Sequence, residues 1–257
     1  MMINSPWVSY SRPVPNAKLR LFCFPYAGGA AMIFRRWVDK MASSVEVCPV
    51  QLPGRGNRIR EAPFTQMTPL VESVAEGLSP YLEGPFAFFG HSLGASLSFE
   101  LALKLQREGR KLPMHLFVSG RRAPCIPHQD PITYNLPDDQ FVEELKRLNG
   151  TPKEVLEHSE LMQLMLPVLK ADFEISETYT HSDEPLLRGC PITAFGGKQD
   201  EEVPPDYLEA WQEHTTGPFK QRMLPGDHFF LHASEQLLLA ALNQELCSMT
   251  ARLAASY

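Results

Sequence analysis

The residues that invite chemistry lie in one short run. "FFGHSLGASLSFELALKLQ", Phe88 to Gln106, sets a serine between two glycines, with an apolar segment before it and a helix-forming segment after it. Glycine is poor inside a strand and poor inside a helix. Gly90-His91-Ser92-Leu93-Gly94 therefore reads as a tight bend with the serine at its tip. G-x-S-x-G is the nucleophile elbow, a strained strand-to-helix turn that lifts a hydroxyl clear of a sheet. The chemistry it predicts is acyl transfer through a covalent acyl-serine, with water as the usual final acceptor.

A serine hydroxyl is a weak nucleophile; it needs a base, and the base needs an orienting acid. On an elbow scaffold the chain order is Ser, then Asp or Glu, then His, each on a loop after a strand. The strand-like "ITAFGG" is followed by Lys198-Gln199-Asp200-Glu201-Glu202. Asp200 is the acid by position: it sits a few residues past the strand, and "EEVPP" after it can start a helix. Glu201 and Glu202 read as a solvated face, and either is a rival in the wrong register. Of the eight histidines, His91 is inside the elbow and cannot fold back onto Ser92. His228, in "LPGDHFFLH", occupies a short loop between the last strand and the last helix, where the base belongs. His232 is its nearest competitor and reads as part of the first helical turn. The tetrahedral intermediate needs N–H donors. One is the backbone N–H of Leu93; the other falls in "FPYAGG", at Ala27, with Tyr26 as the one-residue alternative. No metal or redox cofactor is implied.

These groups require a scaffold that brings strand ends together. "LRLFCF" (Leu19–Phe24), "VEVCPVQL" (Val45–Leu52), "PFAFFG", "HLFVSG" (His115–Gly120), "PITAFGG" (Pro191–Gly197) and "FKQRMLPG" (Phe219–Gly226) read as strands. Helical patterns alternate with them over Ala31–Met41, Thr68–Leu82, Ala95–Glu108 and Ala233–Ala254, with Thr68 as N-cap and Pro69 at the first helical position. Such alternation predicts βαβ units: a mainly parallel sheet with helices on both faces, in one domain spanning 1–257. Residues 1–17, with Pro6, Pro13 and Pro15, read as a loose arm.

The alternation breaks over residues 135–180, where "DDQFVEELKRLNG", "PKEVLEH" and "ELMQLMLPVLKADFEISETY" are helical without a strand. About 45 residues is too long for a plain connection. The segment is expected to be a helical lid, the alternative being a side layer with no part in substrate access. Its apolar residues Leu161, Met162, Leu164, Met165, Leu166 and Val168 either touch an acyl chain or pack the helix down.

Composition narrows the partners. Hydrophobic residues are 44% and charged residues 21% of 257, an ordinary globular balance. A formal charge of −6 argues against nucleic acid. No apolar run approaches the roughly 20 residues of a membrane span, and the first residues lack a signal-peptide layout. Five scattered cysteines form no C-x-x-C pair, so the expectation is reduced thiols, no disulfide framework, no zinc site and a cytoplasmic protein.

Taken together, "LFCFPYAGG", "VQLPGRGNR", "FFGHSLGA", "FVSGRRAP", "LPDDQFVEELKRLNGTP", "LMLPVLKADF", "GGKQDEEV" and "LPGDHFFL" resemble the stand-alone type II thioesterases of polyketide and nonribosomal peptide synthesis. The resemblance runs from Leu21 to Leu231. It implies an α/β-hydrolase fold, Ser92, Asp200 and His228 as triad, Ala27 and Leu93 as oxyanion donors, and a mobile lid over an acyl chamber. It further implies hydrolysis of aberrant or stalled acyl groups from the phosphopantetheine arm of acyl or peptidyl carrier proteins, with no cofactor of the enzyme's own. Tyr26 and Met165 are expected to face substrate. Because carrier proteins are often acidic, Arg55, Arg58 and Arg60 with Arg121 and Arg122 are expected to form the docking patch. The chain is expected to be a monomer. The rival readings are a carboxylesterase, an acyltransferase or cyclase on the same scaffold, or a non-catalytic carrier-binding partner.

Overall fold

Hydrophobic residues that alternate along each strand fix the layering. In β1 (Leu19–Phe24) Phe22 and Phe24 point to one face, while Leu19, Leu21 and Cys23 point to the other, as the two-residue period requires. β2 (Val45–Pro49), β3 (Phe86–His91), β4 (Leu116–Ser119), β5 (Ile192–Gly197) and β6 (Phe219–Leu224) complete a six-stranded sheet in the order β2-β1-β3-β4-β5-β6, every pairing parallel. Helices α1 (Met67–Leu78) and α2 (Leu93–Arg107) cover the face that carries Phe22, Phe86 and Phe88. The other face packs Phe89, Phe117 and Phe195 against Phe34, Trp37 and α7 (Glu235–Ala255). This computed structural model describes residues 5–9, 14–15, 17–148, 158–181 and 186–255. Among them, no helix is long and apolar enough to cross a membrane.

Parallel strands send their outgoing loops to one edge. The order reverses between β1 and β3, which lie side by side although β2 separates them in sequence. That switch point opens a crevice at the carboxyl ends of the strands, the usual ligand position in such sheets. The insertion lies over it. α3 (Asp138–Leu148) and α4 (Ser159–Thr178) build a small core of their own from Phe141, Leu145, Met162, Leu166 and Leu169. The expected helix over "PKEVLEH" falls almost wholly on 152–157, outside the described residues.

Three local expectations change. Residues 31–39 form a 3₁₀ rather than an α-helix. A crossover must run back roughly the length of β2, about 16 Å. Nine residues span about 18 Å as 3₁₀ but only about 13 Å as α. Helix α1 starts at Met67 with Gln66 as its N-cap, so Thr68 and Pro69 fall within the first turn, where a missing N–H costs nothing. Residues 5–9 are not loose: Trp7 and Val8 are buried, Val8 bridges Val50, and the Arg58 guanidinium sits 3.9 Å over the Trp7 ring. Short segments on either side of β6 carry the remaining helices, α5 (Pro205–Glu209) preceding that strand and α6 (Phe230–Ala233) following it.

Candidate active site

Ser92 stands between β3 and α2 with φ 51° and ψ −116°, and it alone among the described non-glycine residues has a positive φ. Such a conformation costs about 1–3 kcal/mol and persists only where the surroundings impose it. The glycines of the elbow are those surroundings. A Cβ on Gly90 would lie 2.1 Å from the Gly94 carbonyl oxygen, and one on Gly94 would lie 2.2 Å from the Phe24 carbonyl oxygen. Strand, helix and the end of β1 meet backbone to backbone, and no side chain fits between them.

That contact brings the β1 loop to the serine. β1 and β3 pair with Phe24 opposite Gly90, so the residues after Phe24 emerge beside His91 and Ser92. Ala27 and Ser92 line the same cavity. Leu93 is the first residue of α2, and a first-turn N–H has no intrahelical acceptor.

Asp200 follows β5 in a tight turn. Its Oδ1 accepts the N–H groups of Glu202 (3.0 Å) and Val203 (3.1 Å), and its Oδ2 lies 2.9 Å from His228 Nδ1. The carboxylate side chain is wholly buried and that of His228 is 12% exposed. Burial opposes charge on His228, but the hydrogen bond to Asp200 and the carboxylate's charge outweigh it and hold the imidazole above its ordinary 6.5. His228 shares the cavity with Ser92. The structure thus gathers Ser92, Asp200, His228, Ala27 and Leu93 at one strand edge.

The other histidines nearby are occupied. His232 lies 3.0 Å from the Tyr26 hydroxyl through Nε2, and burial pushes its pKa down. Burial also raises the Tyr26 phenol to about 12. His91 is buried with its Nδ1 2.9 Å from Ser119 Oγ, and burial, with His228 and His232 close by, keeps it well below 6.5. Its ring centroid is 5.3 Å from that of His228. His91 and Phe229 therefore wall the base without competing for its proton.

The cavity measures about 350 Å³. Tyr26, Ala27, Ser92, His228 and Phe229 form its reactive side; Leu145 and Leu148 of α3 with Leu169 and Phe173 of α4 form its roof. Met165, expected to face substrate, instead packs into the insertion's own core. Met165, Leu169 and Phe173 share one helix face at four-residue spacing, and only the last two, further along α4, reach the cavity. Sequence reasoning missed Leu145, Leu169, Phe173 and Phe229. Their only signal was an apolar pattern that equally suits packing.

The expected docking patch is corrected at Arg55 and Arg58, which are buried, while Arg121 and Arg122 line the cavity that holds Ser92. Arg55 is buried and grips Asp172 of α4 through two nitrogens. Arg58 is buried against Trp7, Glu61 and the Gln51 carbonyl. Arg121 donates to Ser96 Oγ (2.9 Å), Ser176 Oγ (2.8 Å) and the Ser176 carbonyl (3.1 Å), and burial lowers its pKa to about 10. Arg122 lies 2.6 Å from His128 Nδ1 and 3.3 Å from Asp130. Each guanidinium found internal acceptors, because a buried cation left unpaired is costly. Arg60 alone of the five is exposed.

A model of the thioesterase domain matches residues 19–245. The gramicidin S biosynthesis protein GrsT of Aneurinibacillus migulanus is 49% identical over 231 residues, 90% of each chain. A Brevibacillus parabrevis protein named linear gramicidin dehydrogenase LgrE is 45% identical over 247 residues, 95% of this chain and 94% of that one. The solved structure of the type II thioesterase BorB from the borrelidin biosynthetic cluster superposes with a TM-score of 0.85 at 36% identity, covering 93% of this chain and 97% of that one.

Proposed function

The chain belongs to the thioesterase family, and we propose that it is the stand-alone, type II member that clears acyl groups from carrier proteins of a polyketide or nonribosomal peptide synthetase. The observation that carries the mechanism is the buried Asp200–His228 pair opening into the same cavity as a serine held at a strained elbow. Ser92 Oγ attacks the thioester carbonyl while His228 Nε2 takes its proton. Asp200 holds the proton of Nδ1 and with it the tautomer that leaves Nε2 free to accept. The N–H groups of Leu93 and Ala27 stabilise the oxyanion, a contribution of roughly 10²–10³ in rate for each such donor.

Collapse of that intermediate expels the phosphopantetheine thiolate, which takes the proton from His228. A water, deprotonated by the same imidazole, then cleaves the acyl-serine and restores the enzyme. The reaction draws on side chains, backbone donors and water. A cavity of about 350 Å³ with an apolar roof favours short to medium acyl groups. The carrier protein approaches the cavity from the carboxyl ends of the strands; Arg55 and Arg58 are buried, whereas Arg121 and Arg122 line the cavity beside Ser92. Five free cysteines, three of them buried, suit the cytoplasm.

The test is release of free acid from an acetyl-loaded carrier protein by the wild type and by Ser92→Ala. The variant is expected to lose several thousand-fold in turnover, retaining what binding and the oxyanion donors supply. Equal release by both proteins overturns the assignment of Ser92; no release by either, across acetyl, longer acyl and aminoacyl loads, overturns the carrier-clearing function.

A further inference from the structure

The loop that carries the proposed oxyanion donor does not hold its own shape. Residues 25–29 form a turn closed by one internal bond, Gly29 N–H to the Tyr26 carbonyl at 2.9 Å. Everything else that fixes it comes from elsewhere. Gly28, at φ +74°, donates its N–H to Asp172 Oδ2 at 2.7 Å, and the Gly29 carbonyl accepts from Arg55 Nη1 at 3.3 Å. Asp172 lies on α4, 144 residues away, and is 1% exposed. Arg55 binds it in a fork, Nη1 to Oδ2 at 2.5 Å and Nη2 to Oδ1 at 2.8 Å, while Arg55 Nε reaches the Pro53 carbonyl at 3.2 Å. A Cβ on Gly28 would meet Leu169 Cδ2 at 2.4 Å, so the helix lies directly on the loop.

We propose that Asp172 is a positioning residue for the oxyanion loop, with Arg55 holding its carboxylate in place. The inference rests on the assignment of Ala27 as an oxyanion donor. A buried carboxylate is directional only when its other lone pairs are engaged, and the guanidinium fork engages both oxygens. The Gly28 N–H bond then sets the plane of the peptide next to Ala27. That peptide adjoins the Tyr26–Ala27 peptide, which carries the donor N–H, and holding one limits the other; an oxyanion donor works by standing in place before charge develops. The same turn of α4 supplies Leu169 and Phe173 to the chamber roof. Further along, Ser176 binds Arg121, and Glu177 takes the Thr133 and Tyr134 N–H groups. The carboxyl-terminal half of α4 is thus built into the catalytic body, and seating that half is what completes the hole.

The test compares wild type with Asp172→Asn and Arg55→Lys on an acetyl-carrier thioester, counting active sites by fluorophosphonate labelling. A boronic acid, which becomes a tetrahedral anion on the serine, reports the oxyanion hole directly. For Asp172→Asn, kcat per labelled site is expected to fall roughly 10–10²-fold, KM to stay within about threefold, and the boronate Ki to rise by the same factor as kcat falls. Arg55→Lys is expected to move the same two quantities together, and it decides the matter if Asp172→Asn does not fold. An unchanged kcat per site, or a fall in kcat with an unchanged boronate Ki, overturns the proposal. Failure of the underlying site is separate: it appears as wild-type hydrolysis that survives Ser92→Ala or that the boronate does not inhibit.

Discussion

Replacing Asp200 by asparagine keeps shape and volume while changing one decision, the tautomer of His228. The carboxylate's Oδ1 accepts two backbone N–H groups, from Glu202 and Val203, and its Oδ2 faces His228 Nδ1. An asparagine must leave its oxygen on those N–H groups and turn its amide nitrogen towards the imidazole. His228 Nδ1 then has to accept, its proton moves to Nε2, and the ring can no longer take the serine's proton. Reversing the amide would set two N–H groups against an NH₂, at about 1–3 kcal/mol each, or about 2 kcal/mol at the low end for the pair. Loss of the negative charge beside the imidazolium adds about 2 kcal/mol. About 4 kcal/mol corresponds to roughly 10³ in kcat. Thiol release from an acetyl-N-acetylcysteamine thioester measures it, with the melting temperature recorded alongside. A folded Asp200→Asn variant within about tenfold of wild type refutes the reasoning, since the two backbone donors would then not be fixing the amide.

Two pH dependences follow from the histidines. His228 must be neutral to act as base, and its pKa lies above the ordinary 6.5, so kcat/KM should rise with pH through a midpoint above 6.5; a midpoint at or below 6.5 would remove Asp200's electrostatic role. Stability runs on other residues. His115 and His214 are buried, and burial lowers both to about 4 in the folded protein. The unfolded chain, near 6.5, binds the extra protons between those values, so stability falls as pH drops from 6.5 towards 4; His91 acts in the same direction. His228, raised on folding, contributes fully below 6.5 and does not offset this. Going to pH 4.5 should cost on the order of 5 kcal/mol at 1.36 kcal/mol per unit for each of the two groups. Urea unfolding at pH 6.5 and 4.5, a window in which the His228 contribution is constant, checks it, and a difference under about 1 kcal/mol contradicts the neutral burial of both rings.

Local signals in the chain carried the architecture and the order of the site. Apolar runs of strand length separated by helical periods define the parallel sheet, because both periods are written into neighbouring residues. The elbow is legible for the same reason: its glycines and serine are consecutive, and the acid and base follow strands at short offsets. What the sequence could not carry was the company each charged residue keeps. Arg55 reads as a surface cation until α4 brings Asp172 against it from 117 positions away, and Arg121 until Ser176 arrives from 55 positions away. Trp7 reads as part of a loose arm until it meets Gly77, whose missing side chain leaves it room; a Cβ there would lie 2.1 Å from the indole. Met165 and Leu169 share one apolar pattern and both pack in the insertion's core, and only the seating of the helix brings Leu169 to the chamber as well. Period and chain order are properties of neighbours in sequence, so the sequence by itself determined them. Pairing and burial are properties of neighbours in space, and those the tertiary structure alone decided.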